Sequence, residues 1–350
     1  MNENQNLLAN MAERLFSDLA ATRPNEIDPG AAVFAERWAQ VEESGLTLLM
    51  VPEALQGFSG GGEEAWLVFQ LAGLHAADLP VPEAIIAADL LGAAGLEIPS
   101  GPLTIASNVT GSLDKVEGGW RFSGDFTAVP WGRHADHVVG ILTQDGQRLV
   151  ICGAPSKADA QTHHVNVADE PRDGLHFNRA VVASAPCPAR FPEMRATGAL
   201  MRATQIAGAC RGALDLALRQ ANERSQFGKP IGKFQAVQHQ LATLAEQTAA
   251  AEAATRAALL AMGKGGGLLE TASAKIIANL AAEAGVTIAH QVHGAMGFTW
   301  EYRLHHLTRR LIAWRSEFGN LQYWSGKLGT AAAEHGADGF WPMIVDGPCP

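Results

Sequence analysis

Between Asn222 and Ala242 the chain reads NERSQFGKPIGKFQAVQHQLA, and no other stretch limits the fold as strongly. Helix-forming residues stand on both sides, but Phe227, Gly228, Lys229, Pro230 and Gly232 interrupt them. Inside a helix, Pro costs about 3 kcal/mol and Gly about 1 kcal/mol relative to Ala. One helix therefore ends near Arg224 and another starts near Gln235. The short loop between them is either a tight turn between packed helices or a place where a ligand enters. Beyond it, Phe234, Val237, Leu241 and Leu244 recur at spacings of 3, 4 and 3, the seam of a long helix facing other helices.

The rest of the chain changes character twice. Residues 1–98 carry apolar residues on a helical period, as in AVFAERWAQVEESGLTLLMVPE and PEAIIAADLLGAAG, with QGFSGGGEE between helices as a flexible loop. Residues 99–192 read as a small β domain. GGWRFSGDFTAV alternates, and two apolar runs flank Asp145-Gly146, a strong hairpin signal. Residues 193–350 are helical and rich in alanine, with GKGGG (Gly263 to Gly267) as a loop and a second break at QVHGAMGFT (Gln291 to Thr299). The expected fold class is α+β, mainly α: an N-terminal helical domain, a small middle β-barrel or sheet domain, and a C-terminal four-helix bundle.

Charge and cysteine content narrow the function. A net charge of −10 argues against binding nucleic acid or an anionic membrane surface. The 4 cysteines lack CxxC spacing, so no zinc site or disulfide frame is expected and a cytoplasmic location is the default. The opening MNENQNLLANMAERLF lacks the basic and apolar regions of a signal peptide. No apolar run reaches the roughly 18 residues of a membrane helix. GxGxxG after a strand, GxxxxGK[ST] and HExxH are all missing. His305 and His306 are read as polar surface, and no metal site is expected. At the two helix breaks, glycines allow close backbone approach, and Arg224 offers a charge-assisted bond to an anion.

Arg224-Ser-Gln-Phe227-Gly228-Lys-Pro-Ile231-Gly-Lys-Phe234-Gln235 resembles the C-terminal signature of the acyl-CoA dehydrogenase family. Gln291-Val-His-Gly294-Ala-Met-Gly297-Phe298-Thr299 resembles its second signature, with Ala295 where a second glycine is usual. GWRFSGDFTAVPWGRHADHVV and ESGLTLLMVPEALQGFSGGGEEAWLVFQ are similar to its middle and N-terminal domains. The resemblance implies FAD bound at a subunit interface without a Rossmann fold. Arg224 would reach the pyrophosphate and Phe227 would pack near the adenosine. Gln235, Gln322 and Trp131 join the expected cofactor-binding residues, with Gln291, Gly294 and Gly297 supplied from the neighbouring subunit. Thr104 and Ser107 are placed near the flavin by location only.

The implied reaction is α,β-dehydrogenation of an acyl-CoA thioester. A carboxylate takes the α-proton while the β-hydrogen leaves as hydride to flavin N5. Counted without gaps, Phe318 falls on the position of the family's base, with Gly319 and Gln322 matching the residues that follow. Glu317 is one residue early and is the best base within this chain. Met201 occupies an alternative base position on an earlier helix. Short chains with such losses resemble subunits of heteromeric dehydrogenases acting on steroid-side-chain acyl-CoAs. The expected assembly is thus a homo-oligomer, or a heterotetramer with a longer homologous subunit, passing electrons to an electron-transfer flavoprotein. The alternative is a non-catalytic partner subunit supplying half of an FAD site.

Overall fold

The computed structural model describes residues 2–24, 30–191, 193–262 and 267–346. It divides into two compact units, Met1–Gly198 and Ala199–Pro350. The first unit holds the expected helical and β segments, and the second holds most of the expected bundle.

The first unit opens with α1 (Glu3–Ala21), α2 (Gly30–Ser44), α3 (Gly62–Leu74) and α4 (Val81–Ala93). A capping box starts α1: the Asn2 side chain accepts from the Gln5 amide at 2.8 Å, and the Gln5 side chain accepts from the Asn2 amide at 3.0 Å. Every residue of α4 from Val81 to Leu91 is buried, as expected of a helix apolar on all sides. Its one buried aspartate, Asp89, is held by a two-pronged bond from Arg190 at 2.6 and 3.0 Å. QGFSGGGEE, expected to be flexible, is instead a packed turn. The amides of Gly57, Ser59 and Gly60 donate to the carbonyls of Pro52, Val51 and Leu49. A Cβ on Gly57 would stand 2.1 Å from the Val51 carbonyl oxygen, so glycine is there for close approach.

Seven strands follow: β1 (Leu103–Ile105), β2 (Asn108–Val116), β3 (Gly119–Pro130), β4 (His137–Gln144), β5 (Gln147–Gly153), β6 (Ala160–Thr162) and β7 (Arg172–Pro186). The order is β1-β4-β5-β7-β3-β2, with β6 beside β7. Among the described strands only β1 and β4 run parallel. Among the described residues no ladder joins β1 to β2, and the described strands pair as a sheet. The β4–β5 hairpin turns on Asp145 (φ 50°) and Gly146 (φ 75°), the left-handed pair that a two-residue hairpin requires. Phe122, Phe126, Val138, Leu142, Ile151, Leu175 and Phe177 form the core of this domain. GPLTIASNVT (residues 101–110) contains β1 and the start of β2. In β2 only Val109 and Leu113 are buried, too few apolar residues to mark a strand by alternation.

Helix α5 (Met194–Glu223) leads into the second unit, followed by the two-residue strands β8 (Ser225–Gln226) and β9 (Lys229–Pro230). Next come α6 (Gln235–Met262), α7 (Leu268–His293), α8 (Leu304–Trp314) and α9 (Leu321–Asp346). Helices α6, α8 and α9 all pack on α7. The seam of α6 continues past Leu241 and Leu244 as Thr248, Ala251, Thr255 and Ala258, all buried. Small residues there and on α7 bring these two helix backbones close. Of the expected GKGGG loop, residues 263–266 lie outside the described residues, while Gly267 (φ 109°) begins α7.

Candidate functional site

The break in the opening motif is a β-hairpin inserted between two helices. Strands β8 and β9 pair through Gln226 and Lys229. Phe227 (φ 51°) and Gly228 (φ 82°) make the turn. A left-handed conformation costs an L-residue roughly 1–2 kcal/mol, yet Phe227 adopts it with 91% of its surface exposed. Its ring meets only the edge of Phe234, at 6.2 Å, and Lys229 Nζ lies 4.5 Å over the Phe234 ring. Packing within this chain gives no reason for an aromatic at the tip.

The second break lies against the first. Arg224 Nη1 donates to the His293 carbonyl at 3.2 Å. Gly294 has φ 64°, and a Cβ added to it would lie 3.5 Å from Arg224 Nη1. Within one chain the two breaks are thus joined. Helix α6 begins at Gln235, so its positive end opens at the first break. Gln235 and Gln291 are exposed. Gly297 turns inward, where a Cβ would stand 3.0 Å from side-chain atoms of His293 and Leu304. It shapes the break rather than facing outward.

Two histidines brace this segment, and the sequence reading missed them. His293 Nδ1 lies 2.7 Å from the Ala289 carbonyl, so it carries the proton, and Nε2 accepts from the Tyr302 hydroxyl at 3.0 Å. The His290 ring stacks on Phe298 at 4.1 Å. Burial holds both imidazoles below the usual histidine pKa, which favours the neutral form. His305, expected at the surface, is buried and bonded to the Tyr302 carbonyl at 2.8 Å. Met296, Phe298 and Trp300 remain exposed beside the second break.

The expected base lies elsewhere in this unit, on the turn after α8. Glu317 Oε2 accepts from Arg202 Nε at 2.7 Å, where Arg202 is 2% exposed. Arg202 also donates to Gln205 Oε1 at 2.6 Å. Phe318 is buried with φ 55°, and Gly319 has φ 101°. The Phe318 carbonyl accepts from Trp324 Nε1 at 3.1 Å. Lys275 is wholly buried and donates to the Trp314 carbonyl, the last of α8, at 2.6 Å. Burial pulls its amine down to about 7, while Glu317 pulls it up. Met201 and Phe318, the two counted base positions, are both apolar. Their sequence neighbours Arg202 and Glu317 bond to each other. Gln322 is exposed near the start of α9. Lys275 sits at i+4 from Thr271 and i−3 from Ala278 on the buried stripe of α7, and a lysine on such a stripe was a readable sign of a buried charge.

In the first unit, Trp131 (φ 57°) is half-buried against Phe34 and His134 at 5.9 and 6.3 Å. Thr104 and Ser107 donate to the carbonyls of Pro130 and Ala128 at 2.7 and 3.1 Å. Both hydroxyls thus tie down the end of β3.

The helical–β–helical order with a hairpin let into the bundle defines a recognisable class of fold. Residues 194–323 match the family described as "Acyl-CoA dehydrogenase, C-terminal domain". Acyl-CoA dehydrogenase FadE34 of Mycobacterium tuberculosis is 30% identical over 313 residues, 78% of this chain and 43% of that one. Acyl-CoA dehydrogenase IpdE2 of Mycolicibacterium smegmatis is 35% identical over 106 residues, 30% of this chain and 33% of that one. The match thus spans less than half the length of these curated relatives. Among solved structures, the ChsE4-ChsE5 complex from Mycobacterium tuberculosis gives a TM-score of 0.81 at 19% identity, covering 95% of this chain and 98% of that one. Butyryl-CoA dehydrogenase from Megasphaera elsdenii gives 0.80 at 18%, covering 95% and 99%. The chain belongs to the acyl-CoA dehydrogenase family. Among the described residues, no helix is long and apolar enough to cross a membrane.

Proposed function

We infer that this chain is one subunit of an FAD-dependent acyl-CoA dehydrogenase, contributing to the cofactor site while a homologous partner supplies the proton-abstracting carboxylate. The observation that carries this reading is the Arg202–Glu317 pair. A carboxylate held 2.7 Å from a buried guanidinium is stabilised as the anion, which weakens it as a base. A dehydrogenase base needs the opposite, a desolvated carboxylate whose pKa rises towards its task.

The residues at the two breaks fit FAD. Arg224 is an exposed cation beside a left-handed glycine and the positive end of α6, a surface suited to a pyrophosphate. Phe227 offers a bare aromatic face to the adenosine, and Gln235 and Gln291 offer amides. Gln322 and Trp131 stay as cofactor contacts in this proposal. Gly294 keeps the second break close to Arg224, and Gly297 lets that break fold inward. Bound FAD supplies the acceptor for the β-hydrogen. The neutral His290 and His293 hold the second break without adding charge beside the anion.

The substrate is proposed to be an acyl-CoA thioester, with an electron-transfer flavoprotein as electron acceptor and a cytoplasmic setting. The ChsE4-ChsE5 neighbour is a complex, and another neighbour, with a TM-score of 0.81 at 24% identity, is a steroid ACAD. Both favour a heteromeric assembly acting on a bulky acyl group. A second reading makes Glu317 itself the base after a one-residue shift. The two successive left-handed residues, Phe318 and Gly319, mark where such a shift would occur. Glu317→Gln in the assembled enzyme separates the two readings by the rate at which substrate bleaches the flavin.

A further inference from the structure

The charges beneath the α8–α9 turn do more than leave the base position empty. Arg202 is buried and surrounded: Glu317 on one side at 2.7 Å, Gln205 on another at 2.6 Å, and the rings of Trp314 and Phe318 at 5.5 and 5.9 Å. Glu317 is the one acid between Arg309 and Lys327. The turn that carries it is anchored at both ends, by Lys275 on the Trp314 carbonyl and by Trp324 on the Phe318 carbonyl. At the second anchor the backbone passes through two left-handed residues, Phe318 and Gly319, a conformation that surrounding contacts must impose on Phe318.

We propose that Arg202 is the positioning residue of this turn: by binding the Glu317 carboxylate inside the bundle it withdraws the segment's one acid from reaction and sets Phe318, in its left-handed conformation, against the helices. This rests on the reading of the chain as a subunit whose own acid is not the base. The physical reason is asymmetric. A partly buried carboxylate is held by its cation and disfavoured there without it. With Arg202 neutralised, Glu317 turns out to solvent, and the turn relaxes with it.

The test is carboxyl modification by carbodiimide and glycinamide at pH 6, on the flavin-loaded protein assembled with its partner, followed by peptide mass analysis. Glu334 is exposed and serves as the fast reference. Glu252, paired with Arg211 at 2.6 Å, reports whether the bundle stays folded. In the parent, Glu317 reacts at least ten-fold slower than Glu334. In Arg202→Met it accelerates at least ten-fold while Glu252 is unchanged, and Arg202→Lys restores most of the protection because it keeps a cation. The proposal is overturned if Glu317 stays slow in Arg202→Met, if Glu252 accelerates in step with it, or if Arg202→Lys behaves like Arg202→Met. Flavin reduction is not the readout, so this test stands or falls separately from the assignment of the base.

Discussion

Lys275 gives the sharpest physical test of the bundle interior. Its amine is wholly buried, with burial pulling its pKa down to about 7, against about 10.4 in an unfolded chain. Between these values the unfolded chain holds a proton that the folded chain has released. Stability therefore rises with pH across that window, by about 1.4 kcal/mol per pH unit for one proton. Below pH 7 both states hold the proton, and the cost of keeping it buried is present in full, on the order of 4 kcal/mol. Lys275→Met removes this cost but strands the Trp314 carbonyl, a loss of about 1–3 kcal/mol at every pH. The variant is therefore expected to match or exceed the parent at pH 6 and to fall behind by about 2–3 kcal/mol relative to that starting difference by pH 9. Urea unfolding of both proteins at pH 6, 7, 8 and 9, followed by circular dichroism, gives the difference curve. Two curves that stay parallel within about 0.5 kcal/mol would show that Lys275 does not change its proton affinity on folding, and the reasoning would fail.

Two further outcomes concern the helix breaks. Arg224→Ala is expected to weaken FAD retention by about 1.5–3 kcal/mol, the worth of a charge-assisted contact; full flavin occupancy after dilution and gel filtration would count against it. Phe227→Gly is expected to stabilise the unassembled chain by about 1 kcal/mol, because glycine removes the left-handed strain, yet to lower assembly and flavin content. A variant that is both more stable and fully assembled would make the exposed ring at the hairpin tip dispensable.

The parts of this structure that local chemistry dictates were readable in the sequence. Asp145-Gly146 demands a hairpin, and Gly228-Lys229-Pro230 demands an end to the helix. The period of Phe234, Val237, Leu241 and Leu244 demands a buried seam. What escaped depends on distant partners. Strand β2 buries only two residues and is held by pairing with β3. Gly57 looked like slack until the Val51 carbonyl was found against it. Glu317 read as a base candidate because Arg202, 115 residues away in sequence, carries no mark that says where it points. The bond from Arg224 to the His293 carbonyl was hidden for the same reason, since the two residues stand 69 apart in sequence.

In the proposed function this chain helps hold the cofactor but does not supply the base. Its most direct test is the rate of flavin bleaching when an acyl-CoA thioester that reduces the parent assembly is mixed with the Glu317→Gln assembly under single-turnover conditions. Glutamine keeps the size of the side chain and an oxygen for Arg202, and removes the carboxylate. The account predicts bleaching within about three-fold of the parent rate, since loss of a positioned general base typically costs about 10²–10⁴-fold. A fall of that larger size, in an assembly with parental flavin content and mass, would make Glu317 the base and contradict it.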